Sequence, residues 1–172
     1  KFAVTSRFAK ASKATQIRMG WCLADFIACA IAATQFQEAK STLKLANRGS
    51  VKLPGLTNWS FTQESAALVM GTLGSLLQLH DGYGHGGNHP SSVLVPTLIA
   101  MRGSLSLGSI KALSKLAAGY EVCNRLSRLT HPSQSFTGSA PTGTMGAIGA
   151  AVTASLCMEL EQREIEEAIS IA

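Results

Sequence analysis

Ser60-Phe-Thr-Gln-Glu-Ser-Ala-Ala-Leu-Val-Met70-Gly-Thr-Leu-Gly-Ser-Leu-Leu-Gln-Leu79 is the stretch on which the fold turns. No charged residue occurs from Ser65 to Leu79. Apolar side chains fall on nearly every side at helical spacing, which predicts a central, buried helix. Ser60-Phe-Thr-Gln63 fits a capping box and sets the expected start of that helix. Gly71, Gly74 and Ser75 allow a neighbouring helix to approach closely, while the two glycines lower intrinsic helix propensity. This element, Ser60 to Leu79, is expected to be the most buried of the chain.

Next comes Leu76 to Ser92, Leu-Leu-Gln-Leu-His-Asp-Gly-Tyr-Gly-His-Gly-Gly-Asn-His-Pro-Ser-Ser. Three of the chain's four histidines, His80, His85 and His89, lie here with Asp81, Tyr83 and four glycines. A second apolar run, Val93 to Met101, follows. A polar loop between two buried segments is where a rigid scaffold presents chemistry. Its glycines permit sharp bends and close approach to a ligand. Pro90 biases His89 away from helical backbone, and Ser91 or Ser92 can cap the next helix.

The remaining chain also reads as helices joined by short loops. Ser12 to Thr34 carries Ile17, Trp21, Ala24 and Ala28 at helical spacing, and Phe36 to Asn47 is a shorter amphipathic helix, ended by Gly49. Val51 to Asn58 and His131 to Pro141 read as loops. Ser92 to Arg102, Leu107 to Leu129, Thr142 to Leu160 and Glu161 to Ala172 complete the helices. No alternation, repeat or linker is evident. The expectation is an all-α, bundle-like single domain over residues 1–172.

Of the 172 residues, 46% are hydrophobic and only 15% charged, so much of the surface is expected to be covered by other protein. The chain starts at Lys1 and stops mid-pattern at Ala172, as a fragment of a longer polypeptide would. Net charge is +5, but the basic residues are scattered without interleaved aromatics, which argues against nucleic-acid binding and suits small polyanions. Cys22, Cys29, Cys123 and Cys157 show no Cys-x-x-Cys spacing and sit in apolar segments, as reduced thiols of a cytoplasmic protein do. Met19 to Phe36 is apolar apart from Asp25; a mid-span charge is costly in a bilayer, so a buried helix is expected and no membrane association.

His80, His85 and His89 with Asp81 match no standard zinc spacing, and no metal is expected. Two readings of the loop remain: histidines satisfied by backbone groups in a structural loop, or acid–base chemistry by imidazole beside a carboxylate. A second candidate is Ala140-Pro-Thr-Gly-Thr-Met-Gly146. At a helix start, the backbone N–H groups and hydroxyls of Thr142, Gly143 and Thr144 would cradle a carboxylate or phosphate; an ordinary capped helix explains the same residues.

Taken in order, these stretches resemble the MmgE/PrpD family. The likeness runs from Trp21-Cys-Leu-Ala-Asp25 through Ser65-Ala-Ala-Leu-Val-Met-Gly-Thr72, Asp81-Gly-Tyr83 and His89-Pro-Ser91. It continues in Gly119-Tyr-Glu-Val-Cys-Asn-Arg-Leu126 and Pro141-Thr-Gly-Thr-Met-Gly146. It covers the amino-terminal part of that family's helical domain. The resemblance implies a cofactor-independent enzyme of small polycarboxylates, usually a homodimer; known members include 2-methylcitrate dehydratase, cis-aconitate decarboxylase and an iminodisuccinate epimerase. It implies that His89 is the active-site histidine and Asp81 the second acid of an Asp-x-Asp-Asp stretch. Thr142, Gly143 and Thr144, with His80 and His85, would bind substrate. The preceding acids are replaced by Gln78 and His80, and Ala140 or Thr137 stands where members commonly carry a histidine; His131 lies too far upstream to match by spacing. Two hypotheses follow: a lyase or isomerase working by His89/Asp81 acid–base catalysis, or a catalytically silent helical domain retained for assembly.

Overall fold

The computed structural model describes residues 8–172 except Ser104, with only the backbone of Ala9, so Lys1 lies outside it. After a 3-10 turn at Phe8–Lys10, the described chain forms eight α-helices: α1 Lys13–Ala33, α2 Gln37–Leu45, α3 Gln63–Leu76, α4 Ser91–Met101, α5 Ile110–Thr130, α6 Ser133–Phe136, α7 Pro141–Cys157 and α8 Gln162–Ile171. The all-α reading holds. The only sheet among the described residues pairs β1, Arg48–Lys52, with β2, Ser60–Phe61, antiparallel and irregular between Arg48 and Val51.

That hairpin corrects the loop expected from Val51 and the helix start expected at Ser60. Phe61 is fully buried, and its backbone draws β1 alongside. Gly49, expected to end α2, instead lies in β1, where a methyl group would come within 2.6 Å of the Phe61 backbone. Thr62 is the residue that caps α3, its hydroxyl accepting from the Ser65 N–H at 3.3 Å. At its other end α3 stops at Leu76, short of the expected Leu79, because Gln78 turns into left-handed backbone at φ 54°.

Phe26 of α1 seats on α3 at Gly74, where an added methyl would lie 2.0 Å from the Phe26 ring. The close approach expected at Gly74 is therefore present. On α1 the core face consists of Met19, Leu23, Phe26, Cys29, Ala30 and Ala33, whereas Ile17, Trp21, Ala24 and Ala28 face outward. A helix apolar on most sides satisfies helical spacing on several faces, so periodicity alone did not select the inner one. α1 is also the one described helix long and apolar enough to cross a bilayer, but its inner face belongs to the core.

α4, rather than α3, is the most buried helix: Leu94, Val95, Leu98 and Ile99 are sealed among α1, α3, α5 and α7, while Leu68 of α3 is exposed. α5 and α7 cross almost backbone to backbone. A methyl at Gly119 would lie 2.1 Å from Thr153 Oγ1, and one at Gly149 would lie 2.9 Å from both Cys123 and Leu94. This contact fixes the start of α7 relative to the end of α5, and so positions the histidine loop between them. Apolar residues also remain on the outside, including Trp21, Leu45, Leu79, Leu129 and Phe136.

Candidate active site

The chain from Leu77 to Pro90 is pinned at both ends and narrows between them into a tight turn. Tyr83 N–H donates to Asn88 O at 2.8 Å, and Gly86 N–H donates to Tyr83 O at 3.0 Å. Gly86 is buried, and a methyl there would meet Ser127 at 2.7 Å and Tyr83 at 2.8 Å. Gly87 takes positive φ, 60°, a conformation glycine adopts without steric cost. Asn88 is buried beneath the turn, and its amide donates to Asn124 Oδ1 at 3.3 Å and approaches Cys123 Sγ at 3.2 Å.

Asp81 anchors the entry. Its Oδ1 accepts from the Ser91 N–H at 3.1 Å and from the Ser91 hydroxyl, and its Oδ2 accepts from the Tyr120 hydroxyl at 2.8 Å. The cap of α4 is therefore Asp81, ten residues upstream, rather than Ser91 or Ser92; Pro90 occupies the helix boundary and supplies no side-chain hydrogen bond. A carboxylate at a helix N-terminus both satisfies an orphan N–H and meets the positive end of the helix dipole. Burial, followed by the Asp81 charge, pushes the Tyr120 phenol well above its ordinary range, so it stays protonated and donates.

His89 is exposed, and its Nδ1 lies 2.8 Å from the Asp81 backbone carbonyl. A carbonyl only accepts, so Nδ1 carries hydrogen and Nε2 of the neutral ring keeps its lone pair. Asp81 thus orients His89 with its main chain and holds α4 with its side chain. His89 N–H donates to Thr142 Oγ1 at 3.0 Å, which joins the loop to the start of α7 across more than fifty residues of sequence.

His80 lies beside His89, ring centroids 5.0 Å apart, and edge-on to Phe26 at 6.0 Å. Its Nδ1 is buried and has no hydrogen-bond partner among the described residues. Burial, then proximity to His89, pulls its pKa below the ordinary histidine value, against the opposing pull of Asp81 and Asp25. A folded pKa below the unfolded one means the unfolded chain takes up more protons on acidification. The neutral ring's contribution to stability is full above about pH 6.5 and is lost as pH falls toward the folded value. Urea midpoints should therefore fall more between about pH 7 and pH 5.5 in the parent protein than in His80→Gln; equal falls would disprove this role of His80.

His85 sits apart at the tip of the turn, exposed and packed edge-on against Tyr83, ring centroids 5.8 Å apart. Among the described residues no three His, Cys, Asp or Glu groups come together as a metal-ligand set. The four thiols are free, and burial is the first cause raising each above its ordinary pKa. The cavities of about 440 and 460 Å³ in the described structure lie by β1 and the ends of α4, α5 and α7, away from the histidines.

At the start of α7, Pro141 has no N–H, while Gly143 N–H donates to Ala140 O at 3.0 Å and Thr144 N–H to the same oxygen at 3.3 Å. The free N–H cradle expected from Thr142 to Thr144 is thus reduced, because the first turn tightens onto Ala140. Both hydroxyls are engaged too: Thr142 with His89 N–H, and Thr144 accepting from Gln134 Nε2. Sequence reasoning missed Tyr120, Asn88 and Gln134. Tyr120 had a usable signal, a phenol inside an apolar helix face that needs a polar partner when buried.

His89 keeps a directed lone pair, with a second imidazole beside it and the start of α7 against its backbone, an arrangement able to accept a proton. Over residues 1–172 the chain matches the MmgE/PrpD N-terminal domain, and it belongs to that family. No curated protein matches it significantly.

Proposed function

We propose that this chain contributes the amino-terminal half-site of a cofactor-independent lyase or isomerase of a small polycarboxylate. The reaction would be dehydration, decarboxylation or epimerisation beside a carboxylate. The observation that carries this reading is the 2.8 Å contact of His89 Nδ1 with the Asp81 carbonyl, which leaves Nε2 as a base. Proton removal beside a carboxylate needs such a base together with positive potential to hold the substrate's charge. His89 serves as the base, Asp81 positions it, and the Thr142–Thr144 helix end supplies potential through its dipole. His80, beside His89, would contact a substrate carboxylate, whereas His85, apart at the tip of the turn, falls outside this arrangement. Trp21, Ile17 and Ile31, exposed along α1, suit coverage by a partner, in keeping with a homodimer.

A second reading, a silent domain kept for assembly, is favoured by one specific feature: the Asp81 carboxylate is already committed to Ser91 and Tyr120. Incubating the complete protein in D₂O with citrate, 2-methylcitrate, cis-aconitate and related acids separates the two. An enzyme should exchange or eliminate at a carbon beside a carboxylate, visible by proton NMR. No exchange and no turnover across the panel would leave the silent domain standing.

A further inference from the structure

We propose that His131 is a further imidazole of the histidine-loop site, donating a hydrogen bond from Nε2 to a carboxylate of the bound polycarboxylate; this rests on the polycarboxylate reading above. His131 ends α5, its N–H donating to Ser127 O at 2.9 Å. Its ring lies directly on the backbone of the loop. A methyl group at Gly87 would come within 2.7 Å of His131 Nδ1 and 2.8 Å of Cε1, so only glycine admits the ring there without displacement. Gly87 is two residues from His89, and successive Cα atoms are about 3.8 Å apart, so the point where the His131 ring meets the loop lies within about 8 Å of the His89 Cα.

Three hydrogen bonds, together with chain connections and the Gly87–His131 approach, link these segments. Thr130, next to His131, donates to Gln134 Oε1 at 2.9 Å; Gln134 Nε2 donates to Thr144; and Thr142, on the same helix turn, accepts from His89 N–H at 3.0 Å. From Gly87 the path runs through His131, Thr130, Gln134, Thr144 and Thr142 back to His89. Three separate segments, the end of α5, the start of α7 and the histidine loop, are thereby held in one ring, with His131 and His89 both on it. Spacing in sequence hides this, because 42 residues separate the two histidines and the circuit closes only in the fold.

The chemistry of the two rings is complementary. His89 Nδ1 is tied to a carbonyl, which leaves Nε2 as an acceptor. His131 Nδ1 is 3.4 Å from the Ser135 hydroxyl; with that hydroxyl donating, the neutral ring carries its hydrogen on Nε2, which has no partner among the described residues. One ring then accepts a proton while the other offers N–H to an oxyanion, an asymmetry that proton abstraction beside a carboxylate requires. A ring serving only as packing on Gly87 needs no nitrogen at all, and that difference is testable.

The experiment is calorimetric titration of the complete protein with tricarballylate, an unreactive tricarboxylate, in the parent, His131→Phe, His131→Gln and His89→Gln proteins. Phenylalanine keeps the ring on Gly87 and removes the donor; glutamine keeps an N–H donor near the Nε2 position and removes the ring. If His131 donates to the ligand, Phe should weaken binding about 10-fold or more, the usual cost of a lost hydrogen bond to a charged group. Gln should recover part of that loss, with thermal unfolding unchanged in Phe. Parent-like binding in His131→Phe, with binding intact in the parent, overturns the role of His131 and leaves the site reading in place. Absence of tricarballylate binding in the parent at millimolar concentration overturns the polycarboxylate reading itself, and His131's role with it.

Discussion

His89→Gln in the complete protein is expected to lower turnover by about 10²–10⁴-fold, the usual contribution of a positioned general base, while KM stays within about 3-fold. Glutamine is close in size, and its amide can still donate toward the Asp81 carbonyl that now holds Nδ1 at 2.8 Å. The backbone N–H donated to Thr142 is untouched by the change. What disappears is the Nε2 lone pair, so the loss should fall on kcat and should not be recovered at saturating substrate. A His89→Gln protein with parental kcat would place the base elsewhere and return the histidine loop to a structural role. A loss confined to KM would make His89 a binding residue.

How much of this was legible in the sequence depends on which physical signal each element carries. The helices announce themselves through long apolar periodicity and through caps: Ser12 accepts from the Thr15 N–H at 3.1 Å, and Glu161 with Glu164 closes a capping box on α8. Their ends were less legible. α3 stops at Leu76 because Gln78, just beyond it, adopts left-handed backbone, although glycine or asparagine is the usual residue there. The inner face of α1 was hidden because Ile17 and Trp21 satisfy the same spacing as Met19 and Phe26. β1 was hidden because Arg48-Gly-Ser-Val-Lys52 has no alternation; its pairing is imposed by Phe61, a contact outside the strand.

The candidate site divides in the same way. Glycines, histidines and proline between two apolar runs marked the loop, whereas the hydrogen bond from His89 N–H to Thr142, which brings the start of α7 against it, appears only in the fold. The division of labour within Asp81 was invisible, because its carboxylate partners, Ser91 and Tyr120, lie ten and 39 residues away. The tightening of α7 onto Ala140 was also invisible, since a first turn of this kind depends on backbone geometry rather than on residue type.

Asp81→Ala is expected to destabilise the protein by about 3–5 kcal/mol, at the upper end for a single substitution. Three donors converge on this carboxylate: the Ser91 N–H at 3.1 Å, the Ser91 hydroxyl, and the Tyr120 hydroxyl at 2.8 Å. Hydrogen bonds to a charged group are worth about 1.5–3 kcal/mol each, and an orphaned buried donor costs about 1–3 kcal/mol more. Tyr120 is 7% exposed and Ser91 is fully buried, so water cannot readily replace the carboxylate at either donor. Loss of the α4 cap adds to the same total rather than standing apart from it. Asp81→Asn retains one acceptor oxygen, but it turns an amide NH₂ toward donors, so it should cost less than alanine and more than Tyr120→Phe. Urea unfolding of the four proteins, Asp81→Ala, Asp81→Asn, Tyr120→Phe and the Asp81→Ala/Tyr120→Phe double variant, measures this directly. The double variant should be less destabilised than the sum of the singles, because removing the phenol oxygen removes the orphan that Asp81→Ala creates. The comparison also decides how Asp81 serves the site. If Asp81→Ala unfolds at parental urea concentrations yet loses activity, its carboxylate acts on substrate. If stability and activity fall together, and Asp81→Asn retains both in part, Asp81 works by holding α4 and aiming His89.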